Sequence, residues 1–195
     1  MIGLRKGLSG ALVLLVWACG STPAPRPTVT EFTAGDAAHF DAGVDFVANP
    51  EALEGRWAEQ WNEELEGRVG RIDATALVHV LALRDDVDPT RRVTRRIVLT
   101  VDEVLFGPLE GSELTLIVGE DEPGFRTFSG NDERLLRQPF VVFIKWANGP
   151  DGALRPRFHL SPASDSVIDR VLGLLERRRG VERERPRTVV VDHRA

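Results

Sequence analysis

Clustered carboxylates are the most prominent chemistry-bearing feature of this sequence of 195 residues. Carboxylate oxygens at short spacing are the hard ligands that Ca²⁺ prefers. Neither of the two acidic loops has the ligand spacing or the glycine of an EF-hand, so solvated loops are the main interpretation and a divalent-metal site is the alternative. The first loop holds Asp85, Asp86 and Asp88, and the candidate ligands of the second are Glu120, Asp121, Glu122 and Asp132.

Nucleophiles and acid–base pairs are harder to find. The four histidines, His39, His79, His159 and His193, have no H-x-x-x-H or H-E-x-x-H spacing. His79 and His159 fall in predicted strands and favour a structural role, and a two-histidine metal site would require them to meet. The sequence contains no G-x-S-x-G elbow and no P-loop. We therefore expect a protein that is not an enzyme and carries no cofactor, with an enzyme of unrecognised site as the weakest alternative.

The only cysteine, Cys19, follows a segment with the layout of an export signal. Two basic residues, Arg5 and Lys6, precede an apolar stretch over residues 8–16. This stretch is shorter than the roughly 20 residues that a membrane-spanning helix needs, and its length and flanks are typical of a signal peptide. A single cysteine also excludes an internal disulfide and a cysteine-rich zinc site.

Residues 16–19, Val-Trp-Ala-Cys, resemble the lipobox of bacterial lipoproteins, although the valine and the tryptophan depart from its usual residues. The resemblance implies that residues 1–18 are removed and that Cys19 is acylated, which would anchor the protein in the cell envelope. Gly20 after the cysteine implies the outer membrane of a Gram-negative host. Two acyl chains suffice for stable anchoring. An ordinary secretory signal and an uncleaved membrane anchor are the alternatives.

The amino-acid composition argues against one class of partner and indicates the character of the segments on either side of the folded domain. The formal net charge of −5 and the pI near 5.5 argue against a nucleic-acid partner. Residues 19–48 are rich in Pro, Thr, Ala and Gly, which predicts an extended tether. Residues 181–195 form a charged tail whose run of three valines is a candidate edge strand. One or two of its three sparse apolar residues are expected to pin the tether to the folded body, and a short partner-binding motif is the alternative. These residues are Phe32, Phe40 and Phe46.

Periodicity predicts one folded domain over residues 49–180. Apolar residues four apart, among them Trp57 and Trp61, predict an amphipathic helix from residue 50 to residue 66, in which the tryptophans are more typical of a core than of a ligand-stacking site. A second amphipathic helix is predicted to end at Gly180. Between them, period-two patterns predict five strands, with a short helix over residues 132–137. The strands span residues 76–84, 93–105, 114–118, 140–146 and 154–160.

Three strands, a short helix and two further strands follow the order of a five-stranded OB-like barrel, so the predicted fold class is mainly β with flanking helices, or α+β. Four runs, at residues 76–83, 101–108 (Val-Asp-Glu-Val-Leu-Phe-Gly-Pro), 111–116 and 139–144, also resemble the OB-fold domain of tissue inhibitors of metalloproteinases and its bacterial secreted relatives. The resemblance covers roughly residues 74–161. It does not extend to inhibition, because that chemistry needs a free N-terminal cysteine held beside the barrel by a disulfide.

A basic patch lies beside the first acidic loop. Its main interpretation is edge-strand charge that resists aggregation, and its alternative is contact with an anionic glycan or a partner, since OB-like barrels bind ligands on this face. The sequence as a whole predicts an envelope-anchored lipoprotein that binds a protein partner or assists envelope assembly. A glycan- or divalent-metal-binding module is the alternative. The patch consists of Arg91, Arg92, Arg95 and Arg96.

Overall fold

The computed structural model describes residues 31–149 and 151–184. The predicted signal peptide, Cys19, the valine run of the tail and His193 lie outside these residues. None of the helices described is long and apolar enough to cross a membrane. The helices are α1 (Ala34–Ala37), a 3₁₀ helix (Pro50–Ala52), α2 (Arg56–Arg71), α3 (Phe125–Phe128), α4 (Asp132–Arg137) and α5 (Asp165–Glu184). The strands are β1 (Gly43–Val44), β2 (Ala74–Val87), β3 (Val93–Phe106), β4 (Glu113–Gly119), β5 (Pro139–Asn148) and β6 (Leu154–Pro162).

All six strands belong to one sheet in the order β1-β6-β5-β2-β3-β4, and the sheet curls into a half-barrel. Neighbouring strands are antiparallel except β1 and β6, which pair in parallel. The long β2–β3 ladder changes register three times, after Thr75, Leu77 and Val80. Such irregularities increase the local twist and bend of a sheet, which explains the curl.

The mainly β class with flanking helices is confirmed, and each of the five predicted strands lies within an observed one. The strand count of five needs correction, because the two-residue strand β1 adds a sixth. Nor is the sheet closed: the end strands β1 and β4 are not paired with each other in the part of the chain described. The loop around α3 lies across this opening, where Gly124 N–H donates to Asp41 O (2.9 Å) and Thr127 Oγ1 accepts from Val44 N–H (2.9 Å).

The first long helix differs from its prediction at both ends. Instead of one helix from residue 50, a single 3₁₀ turn is followed by extended Leu53, and α2 begins after Gly55, whose φ of 54° favours glycine. The helix also runs through Gly67 to Arg71. Gly67, the first residue after the predicted end, does not end the helix, and its lack of a side chain makes room for the ring of His39.

Two apolar clusters lie on opposite faces of the sheet. The inner cluster fills the half-barrel with alternate side chains of the strands, such as Ile97 and Leu99 of β3. The outer cluster packs α2 and α5 against β5, with Trp61, Val141 and Phe143 among its buried members. Both helices therefore cover the outer face at β5, and the cluster extends to Leu77 of β2 and to Leu105 and Phe106 at the end of β3.

Part of the segment predicted as a tether is folded onto the domain. Thr33 and Asp36 form a capping box at α1, and Phe40, which is 2% exposed, belongs to the outer cluster. Residues 43 and 44 then add β1 beside β6. Phe40 is thus one of the apolar pins that the sequence indicated.

Candidate functional site

Strand β4 lies at one end of the sheet and, among the described strands, pairs only with β3. The hydrogen bond from Val101 N–H to Ser112 O, 2.8 Å long, fixes which residues bond to β3. Because the pattern alternates along an antiparallel ladder, every second residue of β4 turns its N–H and C=O away from β3. The residues with these outward backbone groups are Glu113, Thr115 and Ile117.

A groove of about 540 Å³ lies between this free edge and the β5–β6 hairpin. Thr115 and Ile117 form one wall, and Leu154 and Arg155 contribute to the other. Ile117 is 45% exposed although it is a large apolar residue. The groove therefore offers unpaired backbone groups and apolar side chains side by side, the combination that an added peptide strand uses.

Ion pairs hold the arginines of the groove. Arg157 pairs with Glu122, and Arg155 Nη2 lies 2.7 Å from Asp151 Oδ2. The hydrogen bond from Arg155 holds the pKa of Asp151 below its usual value. A guanidinium has five N–H donors, so each of these arginines keeps donors for a ligand. The described lining includes no aromatic side chain.

The four carboxylates proposed as metal ligands are not gathered into one site. Glu120 accepts a hydrogen bond from a backbone N–H of β3 (3.2 Å), and Asp132 pairs with an arginine of β3 (3.2 Å). Glu122 pairs with Arg157, and Asp121 lines the groove. Among the residues described there is no group of three or more side chains suited to hold a metal ion.

The two strand histidines do not meet. His79 is exposed on β2, where its Nδ1 contacts Asp102 of β3. His159 is buried on β6, two strands away, and the sheet register places it opposite Phe143 whereas His79 is opposite Pro139. The pairing that a two-histidine metal site requires is therefore absent from the described chain.

His159 instead belongs to a buried ionic cluster at the β1 edge. Its Nδ1 lies 2.8 Å from Asp41 Oδ1 and its Nε2 lies 3.3 Å from Asp45 Oδ2. Asp45 Oδ2 also accepts from Ser161 Oγ (2.6 Å) and Arg68 Nη1 (3.4 Å). Burial alone would raise the pKa of Asp45, but its hydrogen bond to His159 and the charges of His159 and Arg68 outweigh that effect and lower it.

This cluster does not form a nucleophile–base pair. The hydroxyl of Ser161 donates to Asp45 rather than to His159, and both Ser161 and His159 are buried. General-base activation of a serine needs the hydroxyl within hydrogen-bonding reach of the imidazole. The cluster joins the segment around β1 to the sheet and to α2, which is a structural task.

Two arginines of the basic patch, Arg95 and Arg96, have different surroundings. Arg95 turns inward, where its guanidinium pairs with Asp85 (2.7 Å) and donates to Phe128 O (3.1 Å). The hydrogen bond from Arg95 lowers the pKa of Asp85, and burial opposes it only in part. Arg96 points to the other side and pairs loosely with Asp86 (3.4 Å). Arg95 is therefore structural and does not contribute to a ligand-binding surface.

The two tryptophans of α2 also separate. Trp61 is buried beneath Arg170, whereas Trp57 is 62% exposed. A spacing of four residues advances 400° around a helix of 3.6 residues per turn, so successive members drift away from the buried stripe. The pair forms neither a shared core contact nor a stacking box.

Comparisons with family models, with curated proteins and with solved structures found no match to this chain.

Proposed function

We propose that this protein is a lipid-anchored envelope protein, not an enzyme, whose half-barrel binds an extended segment of a partner protein in the groove beside β4. The observation that carries the proposal is the free edge of β4, with the backbone groups of Thr115 and Ile117 facing the groove. An extended segment laid there would extend the sheet, gaining about 1 kcal/mol for each main-chain hydrogen bond.

The proposal treats the half-barrel as a variant of the OB-like fold. In OB folds, ligands bind on the face of the second and third strands and the loop between the last two. The corresponding strands here are β3 and β4, and the groove adjoins the loop between β5 and β6. The agreement in position supports the groove as the binding site.

Two alternative ligands fit less well. A glycan site is favoured by aromatic rings on which sugars stack, and the described lining of the groove has none. A divalent-metal site would need several convergent carboxylates, whereas Glu120, Glu122 and Asp132 each have a partner of their own. An extended protein segment remains the ligand that best uses the exposed edge.

The anchor rests on the lipobox resemblance around Cys19. It is tested by growing host cells with a clickable fatty acid and comparing the wild type with Cys19→Ala after membrane fractionation. We expect label and membrane association in the wild type and the loss of both in Cys19→Ala. Unlabelled wild-type protein in the soluble exported fraction would contradict the lipid anchor but would leave the proposed binding at the groove unaffected.

The groove is tested by placing a photo-crosslinking amino acid at position 117 in host cells. The matched control is position 181, since Val181 on α5 is 56% exposed and does not line the groove. We expect a discrete adduct of defined mass, identified by mass spectrometry, from position 117 alone. No adduct from position 117, or the same adducts from both positions, would contradict the proposal.

A further inference from the structure

Residues 33–47, here called the clasp, belong to the last part of the predicted tether and lie against β6, α2 and the loop around α3. The backbone N–H groups of Ala42 and Asp45 donate to the β6 carbonyls of Phe158 and Leu160, each at 2.9 Å. Phe40 is buried in the outer cluster. Detachment of the clasp would lengthen the tether by up to about 3.3 Å for each freed residue.

One histidine of the clasp, His39, lies in a position suited to a neutral ring. The ring packs over Gly67 of α2, where an added methyl group would collide with it, and its Nδ1 is buried with no hydrogen-bond partner in the described chain. The charged groups that act on the ring are two cations of α2, Arg68 and Arg71, and two carboxylates, Glu64 of α2 and Asp36 of the clasp. Arg68 is 3% exposed, so its charge is fixed in place.

The other histidine that the clasp contacts has the opposite surroundings. Both ring nitrogens of His159 face carboxylates, those of Asp41 and Asp45. The ring of His159 thus faces only negative charge from the clasp, whereas a proton on His39 brings a third positive charge near those of Arg68 and Arg71.

We propose that the clasp is an acid-released strap in which protonation of His39, whose ring packs over Gly67 of α2 with a buried and unpartnered Nδ1, detaches residues 33–47 from the sheet and lengthens the tether. The clasp does not line the groove, so its release holds whether or not the groove binds a partner, whereas the lengthening of the tether rests on the proposed anchor at Cys19.

The direction follows from proton linkage. Burial lowers the pKa of His39, and the charges of Arg71 and Arg68 lower it further, against a smaller opposite effect of Glu64 and Asp36. His39 therefore takes up a proton more readily in the detached segment than in the docked one, and its contribution to docking weakens as pH falls through the ordinary histidine value of 6.5. The pKa values of Asp41 and Asp45 lie below 3.8, so these carboxylates stay ionised in that range.

The test is hydrogen exchange of the Ala42 and Asp45 amides at about pH 7.5 and about pH 5, normalised to the intrinsic exchange rate at each pH. The comparison is between the wild type and His39→Phe, which keeps a ring over Gly67 but cannot be protonated. We expect protection to fall on acidification by roughly threefold more in the wild type than in His39→Phe. Equal falls in the two proteins would overturn the proposal.

A second variant covers the case in which phenylalanine does not fit. Arg71→Gln removes one of the two cations beside His39 and keeps the histidine ring itself. Its protection should fall less on acidification than that of the wild type. An unchanged pH dependence in Arg71→Gln, with the clasp docked at about pH 7.5, would equally overturn the proposal.

Discussion

At the β1 end of the sheet, a cluster of charged and polar side chains fastens the segment around β1 to β6 and α2. Its members are Asp41, Asp45, His159 and Arg68, of which His159 and Arg68 are buried. At the β4 end, the outward backbone groups of Thr115 and Ile117 meet no other strand of the described chain. Unpaired sheet edges favour aggregation and are normally blocked. The β1 edge is thus blocked by a cluster of partly buried charges, whereas the β4 edge is open beside a groove. An open edge beside a groove is the arrangement expected where a partner strand binds.

The largest predicted effect comes from breaking the cluster at the β1 edge. Asp45→Ala leaves the buried Arg68 and Ser161 without this partner, so we expect a loss of about 3 kcal/mol in the free energy of unfolding, measured by urea denaturation. Asp86→Ala is the control, because its pair with Arg96 is exposed and should contribute less than about 1 kcal/mol. Similar losses in the two variants would contradict the importance of the cluster.

Acid should weaken the cluster at the β1 edge through its carboxylates. Burial would raise the pKa of Asp41, but its hydrogen bond to His159 and the charges of His159 and Arg68 lower it below 3.8. A carboxylate with a lowered pKa stabilises the fold above its ordinary pKa and loses that contribution as pH falls below it. Urea titrations between about pH 5 and pH 2 should show a shallower decline in Asp41→Asn than in the wild type. An identical decline would exclude Asp41 as a contributor.

Alanine at two glycines of α2 should have different effects on stability, and both effects are smaller than the preceding ones. Gly70→Ala should stabilise the protein by about 0.5–1 kcal/mol, because a methyl group there meets nothing and alanine favours helix. Gly67→Ala should show no such gain, since its methyl group displaces His39. Thermal unfolding of both variants checks the difference. Equal stabilisation would mean that the contact between His39 and Gly67 contributes nothing to docking.

The smallest predicted effect is at the open end. Ile117→Ser should change the free energy of unfolding by less than about 0.5 kcal/mol, because the side chain is exposed on an edge strand. Urea denaturation measures this change. A loss above about 1.5 kcal/mol would show that Ile117 supports the fold, which would remove it as a residue reserved for binding.

The sequence predicted those strands and helices in which apolar residues recur at a regular spacing. The alternation of Ile97, Leu99 and Val101 located β3 and its buried face, and the helix signals at residues 132–137 match α4. It did not predict β1, since two residues are too short to show a period and their partner strand is more than a hundred residues away. The break before α2 depends on the backbone of Gly55, and no apolar pattern records it.

Local sequence patterns also failed to predict most contacts of the candidate site. Carboxylate clusters drew attention to Glu120, Asp121, Glu122 and Asp132, yet the structure assigns most of them to intrachain pairs. The buried cluster around His159 joins residues 114 to 118 positions apart, which local spacing does not reveal. One signal was present: a histidine and a serine two residues apart share one face of the second half of β6, whose neighbouring residues Phe158 and Leu160 are apolar, and this pattern indicates a polar partner for that face.

The central claim, strand addition at β4, is tested most directly by the adduct from position 117 in two further variants. Thr115→Pro removes an N–H that points away from β3, so it spares the ladder but blocks an added strand, whereas Thr115→Val keeps that N–H. We predict that the adduct disappears in Thr115→Pro and persists in Thr115→Val. An adduct that persists equally in both variants, with both proteins folded, would contradict strand addition.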